Sequence, residues 1–347
     1  MSGRLELRRG VVVGEDPLTV EVGGERRPAW ADEGLLGEMR EGDEVVVNVA
    51  ALELGLGSGG FDVVHVNLTR GLRADGDDGE HVMKLNYTSL QHAVEPVERR
   101  RPTTDGHARA AASSAGAMPA LVLPMHGHLA PAAWAVAQAQ ASATVGYVQT
   151  AGGALPGALS RDAAELRERG LLAGHVTAAP AYGGEREALS VAGALDAAAY
   201  ELGWDAALVG PGPGIIGSDT RLGHGGMAAL DNAHASLALG LRTFLSPRLS
   251  SADPRERHRG ASHHTLTVLR MLLAGVEVAV PAGEPVAAAR LAEAAGWRHK
   301  LREAPADLAG YAATALPATT MGRRIEDDPL FFAAPLAAGA CLATALA

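Results

Sequence analysis

The chain has 347 residues, 47% of them hydrophobic and 20% charged, with a mean hydropathy of +0.06. That length holds one large domain or two of about 150 residues, and the apolar content excludes a wholly disordered chain. A formal charge of −10, from 40 acids against 30 bases, has the wrong sign for a broad nucleic-acid-binding surface.

Alanine divides the sequence: the first hundred residues hold six of its 69 alanines. That first part reads as short strands at 10–13, 18–22, 44–49 and 63–68, separated by the turns GEDP, VGGE and EGDE, with one more strand in GEHVMKLNYT. Such spacing predicts a small β-rich, barrel-like domain over residues 1–98. Seven arginines face thirteen acids over residues 1–70, so nucleic acid is not an expected partner. Residues 99–118 begin with Arg99, Arg100 and Arg101, continue with small polar residues, and read as a linker.

From 119 to 347 the pattern changes to apolar strand, Gly-rich turn and Ala-rich helix. Strands are predicted at 120–125, 143–150, 174–181, 206–211, 241–247 and 277–281, a βαβ period. Uncharged strands of this kind fit a Rossmann-like, mostly parallel sheet covered by helices on both faces. The segment 331–347 is uncharged but short of the ~20 residues of a membrane span, and it contains Pro335 and Gly339. It is expected to be a buried terminal helix. The charged start, MSGRLELRRG, argues against a secretory signal. Cys341 is the single cysteine, which excludes a disulfide framework and fits a reducing compartment. A cytoplasmic protein without a membrane partner is expected, with self-association left open.

The unusual residues follow the predicted strands. MHGHLAP follows the first, TAGGALP the second, AYGGERE the third and GPGPGIIG the fourth, while an Arg/His-rich loop follows the fifth. In a parallel sheet these turns share the carboxyl edge, where ligands bind near a switch in strand order. Gly212, Gly214 and Gly217 match G-x-G-x-x-G, but they follow the fourth strand and include Pro213, unlike a dinucleotide fingerprint. With Gly152, Gly153, Gly183 and Gly184 they are better read as backbone that lets an anion approach closely.

The segment from Ser246 to Ser262 reads as a long functional loop. Its guanidinium groups, Arg248, Arg255, Arg257 and Arg259, suit a phosphate or carboxylate, with Asp253 and His258 among them. Ser262 is placed to cap the next helix, whose first turn holds His263 and His264. Those two side chains diverge by about 100° and are not expected to face inward alike. His263, His264 and His126 are the candidate catalytic groups. No H-x-x-x-H or HExxH pattern occurs, so no metal ligand is assigned and the cofactor stays unknown.

The stretch RLSSADPRERHRGASHHTLT, with LGLGSGGFDVVHVNL, EHVMKLNYTSLQ, YVQTAGGALP and GPGPGIIG, resembles a bacterial family catalogued as domain of unknown function 3866. The resemblance spans nearly the whole chain and implies no activity, cofactor or catalytic residue. The leading functional expectation is a protein, enzymatic or not, that binds a small anionic metabolite at the carboxyl edge. The alternatives are a non-catalytic regulatory or assembly module and a His-assisted metal-dependent hydrolase.

Overall fold

The computed structural model describes residues 5–55, 60–72, 82–98 and 118–346. The expected linker lies outside them apart from Met118. The chain forms two compact units, Met1–Ala93 and Val94–Ala347.

The first unit contains a closed five-stranded barrel of β1 (Leu7–Glu15), β2 (Leu18–Val22), β3 (Glu25–Trp30), β4 (Glu44–Asn48) and β5 (Asp62–Asn67). Its order is 1-2-3-5-4, and β3 and β5 run parallel while the other neighbours run antiparallel. That is the connectivity of an OB-type barrel. The alternating residues Val12, Val20, Val45, Val47 and Val64 fill its interior. The β3 sequence ERRPAW lacks alternation and was not expected as a strand. Arg27 joins it to β5 by donating to both oxygens of the fully buried Asp62, at 2.6 and 3.1 Å. Gly10 is required by close approach, since a Cβ there would lie 2.8 Å from the Glu21 carbonyl. The further strand expected in GEHVMKLNYT is β6 (Val82–Lys84), which pairs with β7 (His92–Val94) outside the barrel.

The second unit is built on eight parallel strands. The six expected from sequence are β8 (Ala120–Val122), β9 (Val145–Thr150), β10 (Gly174–Ala178), β12 (Ala206–Pro211), β13 (Thr243–Leu245) and β16 (Glu277–Pro281). The other two, β11 (Arg186–Ala188) and β17 (Lys300–Ala304), form the edges. Charged residues such as Arg186, Lys300 and Arg302 hide them from a search for apolar runs, and charge is what a sheet edge tolerates.

Alternation along the strands makes two cores. Ala120, Val122, Val148, Val209 and Val278 face one way, beside residues of helices Val191–Tyr200, Ala228–Ala238, His263–Met271 and Pro285–Ala295. Leu121, Leu123, Tyr147, Leu208 and Phe244 face the other, beside helices Leu129–Ala139 and Pro329–Ala343. The last of these is the terminal helix expected from sequence, with Phe331, Phe332, Leu336 and Leu342 buried. Among the described residues no helix is long and apolar enough to cross a membrane.

The sheet order is β11-β10-β9-β12-β8-β13-β16-β17. The chain starts inside the sheet at β8, runs outward to β11, returns through β12, and then crosses β8 to β13. Its direction reverses around β8 and β12, so the turns leaving β8, β12 and β13 gather at one carboxyl edge.

Candidate functional site

The glycine loops meet one another backbone to backbone. Gly152 has φ +105° and abuts Gly225, so that a Cβ on either would overlap the other's carbonyl. A Cβ on Gly153 would lie 2.9 Å from the Gly212 Cα, and the amide of Ala154 donates to the Pro213 carbonyl at 3.0 Å. Gly183 lies against Gly157, and Gly184 against Thr177. Gly152, Gly153, Gly183 and Gly212 therefore join loop to loop, Gly184 packs its loop on strand β10, and all five stand outside the cleft. Gly214, in the left-handed region at φ +81°, and Gly217 line it.

The expected Arg/His loop is instead a clasped hairpin. β14 (Leu249–Ser250) pairs antiparallel with β15 (Gly260–Ala261). Two fully buried carboxylates hold it. Asp253 accepts from Arg248 at 3.2 Å and from Arg255 at 2.9 and 3.0 Å. Asp328 accepts from the Ser250 hydroxyl at 2.6 Å, the Ser251 amide at 2.7 Å and Arg323 at 3.1 Å. Burial raises the Asp253 pKa, but bonds from the Arg255 side chain and backbone, with the Arg248 charge, outweigh it and hold the carboxyl well below its usual range. Burial likewise lowers the Arg248 pKa, to about 10, against the pull of Asp253. Arg257 pairs with Asp219. Arg259 donates to the Asp253 carbonyl at 2.9 Å and is absent from the cleft wall; its backbone partner assigns it to the hairpin.

Helix His263–Met271 begins where expected, with the Ser262 hydroxyl accepting from the His264 amide at 3.3 Å. Contrary to the divergence expected of adjacent helical residues, both His263 and His264 line the cleft, because it wraps the first turn rather than one flank. Their rings stand 4.3 Å apart at 71°, and His258 lies 4.9 and 4.8 Å from them. The ligand nitrogens of the three all lie within 4.8 Å of one another. His224 stacks on His264 at 3.4 Å and 7°.

Hydrogen bonds orient these rings. His258 Nδ1 meets the Ser262 hydroxyl at 2.7 Å. His224 Nε2 donates to the Arg221 carbonyl at 3.1 Å, and its buried Nδ1 is without a partner, as is the buried Nε2 of His263. Burial, reinforced by neighbouring arginines and imidazoles, lowers the pKa of all four, that of His258 to about 3. They are neutral imidazoles at pH 7.

His126 and His128 do not join this cluster. His128 is fully buried, against Phe331 and the Ser246 hydroxyl at 2.8 Å. His126 lines the same cleft, with Nε2 3.1 Å from the Ser160 hydroxyl and 3.8 Å from Asp162. Burial lowers its pKa to about 4 and raises that of Asp162 to about 6. The Ser160 hydroxyl is buried and also accepts from the Ala163 amide. It is a helix cap beside a histidine, not an exposed nucleophile.

The result is one cleft of about 590 Å³ at the carboxyl edge. His126, Arg248, Arg255, Arg257, His258, His263 and His264 share it with Gly214 and Gly217. β12 and β13 are not neighbours, since β8 lies between them; their loops converge across the end of that strand. A larger hollow of about 920 Å³ lies by the β11 edge, lined by Glu95, Glu185, Glu187 and Glu201, and lacks this convergence of imidazoles and guanidiniums. The sequence reading missed His224, Asp162, Arg323 and Asp328. His224 sits between glycines in GHGG, a visible signal, whereas Asp328 looks in sequence like an ordinary acid before a helix.

A family model described as a protein of unknown function (DUF3866) matches residues 29–339. No curated protein and no solved structure matches the chain.

Proposed function

The chain belongs to the DUF3866 family of proteins of unknown function, and from its cleft alone we propose that it binds a small anionic metabolite bearing a phosphate or carboxylate. One observation carries this reading: Arg248, Arg255 and Arg257 line the same cleft as the left-handed Gly214 turn. Guanidinium forks match the geometry of such anions, and at Gly214 the absence of a side chain lets a ligand come close to the backbone. Asp253 holds Arg248 and Arg255 in place, so the donors need little ordering when the anion arrives. Arg257, paired with the exposed Asp219, is the most readily redirected of the three. The volume suits a metabolite rather than a polymer.

Calorimetric titration with inorganic phosphate and with small phosphorylated and polycarboxylate compounds tests the reading. Arg257→Ala is expected to weaken binding by about 1.5–3 kcal/mol, the value of a hydrogen bond to a charged group. Arg259→Ala, which removes a donor to the hairpin backbone, is expected to leave affinity within about twofold. Equal losses in the two variants, or no saturable binding of any of these anions, would reject the assignment.

A further inference from the structure

We propose that His258, His263 and His264 are the protein ligands of a divalent transition-metal ion, zinc by preference, whose remaining position opens toward the arginines of the cleft. Their ligand nitrogens already lie within 4.8 Å of one another. Nitrogens bound tetrahedrally to one zinc at ~2.0–2.1 Å stand ~3.4 Å apart, so the longest separation must close by about 1.4 Å.

The surroundings suit such an ion. His258 is 1% exposed, and in the tautomer that donates from Nδ1 to the Ser262 hydroxyl its Nε2 lone pair accepts from Arg257 Nε at 3.5 Å, a long bond that a metal ion displaces. The bond to Ser262 is of the kind by which an outer hydrogen bond orients a metal-binding imidazole. The Nε2 of His263 is buried without a partner, a costly state for a polar atom that a metal bond relieves. An all-imidazole set selects zinc, copper, iron or nickel over calcium and magnesium, which take oxygen ligands. Asp253 is not a competing ligand, being bound by Arg248 and Arg255.

Three protein ligands leave a tetrahedral ion one position free. Arg248 Nη1 donates to His264 Nδ1 at 3.3 Å, a bond that ligation through that nitrogen displaces, and a dication here stands beside fixed positive charge. An anion bridging the ion and the guanidiniums removes that repulsion. Metal and anion are therefore expected to bind with positive coupling. The coupling rests on the proposed anion-binding function, whereas the ligand set does not.

The test uses full-length, tag-free protein stripped with a chelator and dialysed into phosphate-free buffer. Zinc is titrated by calorimetry and cobalt(II) by visible absorption. One ion per chain is expected, with cobalt bands typical of four- or five-coordination. His263→Ala and His264→Ala should each weaken zinc binding at least 100-fold. Circular dichroism and melting of these partly exposed positions are expected to stay like wild type, which separates ligand loss from misfolding. Added inorganic phosphate should tighten zinc binding at least fivefold in wild type and not in Arg257→Ala. The ligand set is overturned if no ion binds stoichiometrically, or if either folded variant binds zinc as wild type does. Zinc binding that phosphate leaves unchanged overturns the coupling. Phosphate binding without a metal site rejects this inference and leaves the proposed function standing; a metal site without phosphate binding does the reverse.

Discussion

Two aspartates, the half-buried Asp162 in the cleft and the buried Asp253 behind it, respond to pH in opposite directions. Asp253 has a folded-state pKa held below the unfolded value of about 3.9. Its contribution to stability is complete above that value and is lost as pH falls toward the folded pKa. Asp253→Asn is expected to cost about 3–5 kcal/mol at pH 7, because it leaves the buried Arg248 without its carboxylate. The variant should also lose less stability than wild type between pH 4 and pH 2. Urea midpoints at these pH values measure both effects, and a wild-type midpoint at pH 7 would refute the assigned role. Asp162 is raised to about 6, first by burial and then by Glu165. The fold favours its protonated form, so stability declines as pH rises from about 4 through about 6. Asp162→Asn should flatten that decline; an unchanged slope between pH 4.5 and 6.5 would count against it. Charge at these residues was easy to see in sequence. Its environment was not, because desolvation is set by residues brought in from elsewhere.

At the scale of elements, the cleft depends on loops that dock without side chains. Gly152 follows β9 and Gly225 precedes helix Ala228–Ala238, and their backbones touch. Gly225→Ala places a methyl where the Gly152 carbonyl lies, and the expected cost is about 1–3 kcal/mol, the range for overpacking. Thermal melting measures it. A melting temperature equal to wild type would show that the loops separate without cost. The strands and the Ser262 cap were legible because each is a local pattern: an apolar run, or a capping hydroxyl before a helix. The hairpin was not, since two-residue strands at Leu249–Ser250 and Gly260–Ala261 are too short to carry a period. Its clasp also comes from outside: Asp328 lies 77 residues beyond Ser251.

For the molecule as a whole, charge sets an expectation about partners that the barrel's connectivity does not override. OB-type barrels include many nucleic-acid binders, but shared fold alone does not transfer function. A chain carrying −10 lacks the excess of positive charge that displaces counterions from phosphates. The full-length protein is expected not to bind labelled single-stranded DNA or RNA at physiological ionic strength. Saturable binding by fluorescence polarisation that weakens with added salt would overturn this.

The sequence by itself determined the alternation that fills the barrel, six of the parallel strands, the buried terminal helix and the glycine-rich turns at the carboxyl edge. These follow from periodicity and backbone preference, which act between residues near in the chain. Only the tertiary structure decided that β8 would lie between β12 and β13, and that the loops of those strands would converge across its end. The same is true of the ring of His224 stacked on His264 and of the pairing of Arg248 with Asp253 at the cleft floor. Strand order places distant residues side by side, and burial then sets their charge. Neither quantity belongs to a local stretch of sequence, so the cleft's position was legible while its chemistry awaited the fold.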